Sequence, residues 1–132
     1  MSRKKKTTKN FTNFKMNNEV YEKRKKVIDF IYELKNEGFK LPRIDVRIGT
    51  DKQCDILGKA RLKDNIIWIT DKAIKDTNKN WLRTTVYHEL LHAIYGCNHV
   101  KGCPIMSAVQ PDVVANKVKS IEIFKKYYNK YN

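Results

Sequence analysis

All three histidines of this 132-residue chain fall in one short window, His88-Glu89-Leu90-Leu91-His92 followed by Gly96 and His99. That window constrains the fold more than any other feature. Residues four apart lie one turn apart on the same face of an α-helix, so the imidazoles of His88 and His92 can meet a single ion only if the segment is helical. The surrounding residues fit that demand. Asn80 is placed to cap a helix, Trp81 to Tyr87 contains neither Gly nor Pro, and Gly96 stands where the helix should stop. Leu82, Val86, Leu90 and Ala93 keep helical spacing on a different face from the histidines, so one face is expected to pack and the other to bind.

The chemistry of the window is that of a catalytic metal site. Zinc in such sites ordinarily takes three protein ligands and keeps its fourth position for water. His88 and His92 supply two, and His99, brought back by a turn at Gly96, is the expected third. Cys97 and Cys103 are reserve donors, and Glu122 on a later helix is a further alternative. Glu89 need not bind the ion: in the H-E-x-x-H arrangement the carboxylate takes a proton from the attacking water and passes it to the leaving amine. A single histidine on an amphipathic helix is ordinarily just a hydrogen-bonded side chain. Three together, with none elsewhere in the chain, are harder to account for that way.

The run His88-Glu89-x-x-His92-x-x-x-Gly96-x-x-His99, followed by Cys103-Pro104-Ile105-Met106-Ser107, resembles the metzincin clan of zinc metallopeptidases, with the archaemetzincin and matrixin-like groups most similar. The resemblance covers roughly residues 85 to 107. It implies zinc held by His88, His92 and His99, Glu89 as general base, and Met106 in a methionine turn beneath the metal. It also implies peptide-bond hydrolysis on a small zincin-like core. One departure is specific: Tyr95 holds the place of the family's glycine, and Gly96 and His99 are each displaced by one residue. Zincins border their cleft with a strand antiparallel to the substrate, and residues 66–70 are the candidate here, with Trp68 either lining the cleft or packing against the helices. Tyr87 and Tyr95 are among several groups chemically able to stabilise an oxyanion, and none is assigned.

The rest of the chain reads as one α+β domain. Residues 1–18 carry Arg3, Lys4, Lys5, Lys6, Lys9 and Lys15 without an acid and are expected to form a flexible basic arm. The domain proper is expected over residues 19–132. Val20, Val27, Ile28, Ile31 and Leu34 trace a helical stripe ending near Gly38. Residues 44–48 alternate as a half-buried strand, and residues 60–62 and 66–70 flank Asp64-Asn65 as a hairpin. Pro111 can open a last helix bearing Val114, Val118, Ile121, Phe124 and Tyr128. The result is an N-terminal helix, a short mixed or antiparallel sheet, the site helix and a closing helix.

Charge narrows the partners. Lys plus Arg number 28 against 14 acidic residues, a formal charge of +14, which favours polyanions. Besides a protein or peptide substrate, nucleic acid contacted through the basic arm is therefore an expectation. It keeps alternative functions in view: a SprT-like protease, a zinc RNA-maturation hydrolase, or a non-catalytic basic protein that keeps zinc for folding. Glu89 argues against the last, because a structural site needs no base. No apolar run approaches bilayer length, and the basic start is not followed by a signal-like segment. Cys54, Cys97 and Cys103 form an odd set without disulfide-framework spacing. The expectation is a cytoplasmic protein with no membrane contact, of a kind a phage or bacterium uses as an accessory. Oligomeric state is not legible.

Overall fold

The computed structural model describes residues 11–49, 57–76, 78–108 and 113–132, with side chains from residue 18 onward. In chain order the elements are α1 (Phe11–Asn36), β1 (Asp45–Gly49), β2 (Gly58–Arg61), β3 (Ile66–Thr70), α2 (Asp71–Lys75), α3 (Lys79–Tyr95) and α4 (Lys117–Tyr131). This is a small α+β arrangement, as the hydrophobic periodicity implies. The first helix starts at Phe11, so residues 11–18 of the expected arm have helical backbone, while residues 1–10 lie outside the described part. No helix among the described residues is long and apolar enough to cross a membrane.

The three strands form one mixed sheet in the order β1-β3-β2, with β1 parallel and β2 antiparallel to β3. The expected strand and hairpin are therefore present, but their roles are exchanged. The Ile66–Thr70 strand is the centre of the sheet and not its cleft-side border, which corrects the assignment made by analogy. The run Ile66-Ile67-Trp68-Ile69 is apolar on both faces, and such a strand is most stable where both of its edges are paired. Ile67 and Ile69 are fully buried on the helix side. Trp68 projects from the other side, its ring lying 5.6 Å from the Arg47 guanidinium and 5.9 Å from the Lys59 ammonium.

Helix α3 runs through the middle of the molecule, against α1, α2, α4, β2 and β3. Every residue from Leu82 to Tyr87 is buried, so the division into one packing face and one binding face holds only near its C-terminal end. Its N-cap is Asn78, whose Oδ1 accepts from Asn80 N at 2.9 Å. Asn80 instead turns its own Oδ1 to Arg83 Nη1. Burying a helix on all sides requires its polar groups to be satisfied inside. Thr84 and Thr85 return their hydroxyls to the Trp81 carbonyl, and Arg83 and Tyr87 reach Glu33 on α1.

The closing helix begins at Lys117, capped by Asn116, and not at Pro111, which lies outside the described residues. Consequently the buried stripe is Ser120, Ile123 and Phe124, and Val118, expected inside, is 67% exposed. Phe124 joins Phe39 and Tyr87 edge to face, with ring centroids 5.2 and 5.5 Å apart, and this aromatic group ties α4 to α3 and to the turn after α1. Short α2, unforeseen in the sequence, is capped by Thr70, whose Oγ1 accepts from Ala73 N.

Candidate metal centre

The C-terminal end of α3 is where the site lies. Gly96 takes the left-handed conformation (φ 67°, ψ 27°); its N–H bonds the His92 carbonyl and Cys97 N–H reaches back to Leu91 O at 3.3 Å. This glycine stop satisfies carbonyls that the helix end would leave orphaned and reverses the chain. The β2–β3 turn completes the cap, with Lys63 N donating to His92 O and Asn65 N to Ala93 O, both at 3.2 Å. Beyond Gly96 the chain returns through Asn98 and His99. Val100 N donates to Met106 O at 2.7 Å, closing the 100–106 loop that directly follows His99.

The three histidines come together as expected. Their candidate ligand atoms all lie within 4.8 Å of one another, a group able to hold a metal ion. His88 and His92 are partly buried and His99 is exposed. Ring centroids are 4.6, 4.9 and 5.1 Å apart across the three pairs.

The hydrogen bonds decide which nitrogens are available. His88 Nδ1 lies 2.6 Å from the Ile105 carbonyl and His92 Nδ1 2.5 Å from the Cys97 carbonyl. A carbonyl only accepts, so both Nδ1 atoms carry the proton, and in neutral rings both Nε2 atoms present bare lone pairs. Those two Nε2 atoms face each other at 3.0 Å. Two lone pairs at that separation repel unless a cation stands between them. A proton is a poor candidate: burial, which outweighs the hydrogen bond to Ile105 and is joined by the neighbouring His92 and His99, pushes His88 down to about 4, and burial also lowers His92. A metal ion is the better match, since two nitrogens bound to a tetrahedral zinc at about 2.0–2.1 Å stand roughly 3.3 Å apart. The donor set therefore fits a metal ion that takes imidazole ligands, with the backbone carbonyls of Ile105 and Cys97 fixing the tautomers from outside.

Glu89 is buried, and burial alone pushes its carboxyl up to about 8. It lies with the three histidines along a cleft of about 890 Å³. One wall is β2 and its flanks, through Leu57, Gly58, Ala60 and Leu62; the other is the loop from Cys97 to Ala108. Gly58 is the residue that sequence reasoning missed, and nothing in the linear pattern marked it.

The reserve ligands are not part of the histidine group, although Cys97 lines the same cleft. Cys97 is buried, and burial raises its thiol although a hydrogen bond to Tyr131 works against this. Cys103 Sγ accepts from Met106 N at 3.3 Å and from the Tyr127 hydroxyl at 3.6 Å. Glu122 is exposed on α4 and is not part of the histidine group. Cys54 lies outside the described residues. Met106 is completely buried, next to the Ile105 carbonyl that orients His88. Tyr87 is also fully buried and donates to Glu33, and Tyr95 accepts from Asn132 and stacks on Tyr131, so neither lines the cleft. Trp68 does not line it either.

Comparison with protein families, with curated proteins and with solved structures finds no match to this chain.

Proposed function

We propose that this chain is a zinc-dependent metalloendopeptidase of metzincin-like design, with His88, His92 and His99 as metal ligands and Glu89 as general base. The observation that carries the reading is the pair of tautomer-locked Nε2 atoms facing each other at 3.0 Å, with a buried carboxyl on the intervening residue of the same helix and the same cleft. A structural site would close its fourth position with a protein donor and has no use for such a carboxyl.

A zinc ion held by His88, His92 and His99 would supply Lewis acidity toward a water and the scissile carbonyl. The chain's own residues do the rest. Ile105 and Cys97 hold the two helix-borne imidazoles in the metal-binding tautomer. Glu89, in its carboxylate form, would accept the water proton and return it to the departing amine. Among the described residues β2 is paired on one edge only, and an extended peptide could add to its free side through main-chain hydrogen bonds.

Metal content of protein purified without added zinc, paired with casein digestion, tests the proposal. One zinc per chain, weakened in His99→Ala, and digestion abolished in Glu89→Gln are the expected results. A chain that purifies without zinc and takes none up would sink the peptidase reading and favour a basic binding protein. The formal charge of +14 supports a second component of the reading, contact with a polyanion such as nucleic acid through the N-terminal basic run.

A further inference from the structure

Gly58, the first residue of β2, faces Glu89 across a gap with no room for a side chain. A Cβ at position 58 would stand 2.8 Å from Glu89 Oε2, 2.9 Å from Cγ and 3.2 Å from Cδ. Contacts this short are repulsive. They also span the side chain from Cγ to the carboxylate, so turning the terminal bond alone does not relieve them.

The backbone gives no other reason for glycine here. Gly38, Gly96 and Gly102 have positive φ, whereas Gly58 does not. Glycine inside a strand weakens it and often marks a close approach by another group. The group here is Glu89.

The backbone on both sides of the contact is held in place. The Leu57 carbonyl, one residue before Gly58, accepts from both the N–H and the Oγ1 of Thr70, each at 3.0 Å. Thr70 is itself buried, ends the central strand and caps α2. Gly58 is also in register with Ile69 of that strand. On the other side, Glu89 is carried by the enclosed helix α3.

We propose that Gly58 is a positioning residue for Glu89: the bare start of β2 is the wall against which the carboxyl rests, and it sets how that carboxyl is presented to the cleft. This rests on the reading of Glu89 as the base. The strand segment that borders the cleft thereby also holds the base, so base and bound peptide take their positions from one piece of backbone.

The test compares full-length native protein, Gly58→Ala, Glu89→Ala and the double variant. Thermal melting without added metal reads the contact itself. Gly58→Ala is expected to lower the melting temperature, and to do so by less than half as much when Glu89 is already alanine. Zinc content and casein kinetics read the consequence: Gly58→Ala keeps one zinc per chain and its KM, while kcat falls on the order of 10- to 100-fold. Equal melting losses in both backgrounds, or failure of both Gly58→Ala proteins to fold, would overturn the proposal and leave Gly58 serving the strand alone. An unchanged kcat in Gly58→Ala would overturn it as well. If the native protein cleaves nothing, the peptidase reading fails, and the melting cycle still decides whether Gly58 makes room for Glu89.

Discussion

Glu89 and Gly96 are the two residues whose replacement should separate chemistry from architecture. Glu89→Gln keeps shape and burial but cannot accept a proton, so casein cleavage should fall by about 10²–10⁴-fold while zinc stoichiometry is unchanged. Gly96→Ala should do the reverse. A Cβ there would be strained at φ 67° and would stand 3.0 Å from two carbons of the Lys63 side chain. The left-handed conformation alone costs an alanine about 1–2 kcal/mol, which should appear as a lower melting temperature. Because Gly96 aims the chain toward His99, zinc affinity measured by competition with a chelator should weaken as well. The histidines, their glutamate and this glycine were all legible in the sequence, since helical spacing and a helix stop are local properties. Gly58 was not, because its partner lies 31 residues away and only the packing of β2 on α3 brings them together.

At the scale of elements, α3 is held in place by a polar clasp that no periodic pattern announces. Glu33 on α1 accepts from Arg83 Nε at 2.7 Å and from the Tyr87 hydroxyl, and Lys117 at the start of α4 lies 4.0 Å away. Burial alone would raise the Glu33 carboxyl, but the hydrogen bonds from Arg83 and Tyr87 and the Arg83 charge outweigh it and hold it below its usual value of 4.5. A folded-state value below the unfolded one means stability that is present above the ordinary carboxylate range and lost as pH falls through it. Urea unfolding followed into acid should show that decline, and Glu33→Gln should flatten it. Glu33→Ala strands Arg83 and Tyr87 in the interior and should cost about 3–5 kcal/mol in the same measurement at neutral pH. Sequence spacing found α1 and α3 themselves, because apolar residues recur on them at helical intervals. The ends were less legible. Asn78 and Asn80 are both good cap residues; Asn78 takes the role, while the Asn80 oxygen accepts from Arg83. The start of α4 moved from Pro111 to Lys117, where Asn116 supplies the capping oxygen.

For the whole molecule, the histidines on α3 and on the following loop are drawn together only in the folded chain, so an ion that binds them stabilises the fold by mass action. Chelation should lower the melting temperature, and restoring zinc to a thousandfold above its Kd should recover about 4 kcal/mol. The charge of +14 acts at the same scale. Binding to a fluorescein-labelled oligonucleotide should weaken steeply with salt, and removal of residues 1–10, with five of the basic side chains, should reduce both affinity and salt slope. An unaltered salt slope would move the polyanion contact from the arm to the body of the domain.

The sequence by itself determined the site helix, its glycine stop, His88, His92 and the candidate base, because each depends on spacing within a turn or two of one helix, and it marked His99 as the third candidate by its place just past that stop. It also determined the strands and the class of fold, through periodicity. Tertiary structure alone decided that Ile66–Thr70 is the central strand, that β2 borders the cleft, that Cys97, Cys103 and Glu122 are not part of the histidine group, and that a glycine rests against Glu89. Those outcomes depend on which elements pack together, and packing is set by the summed burial of residues far apart in the chain.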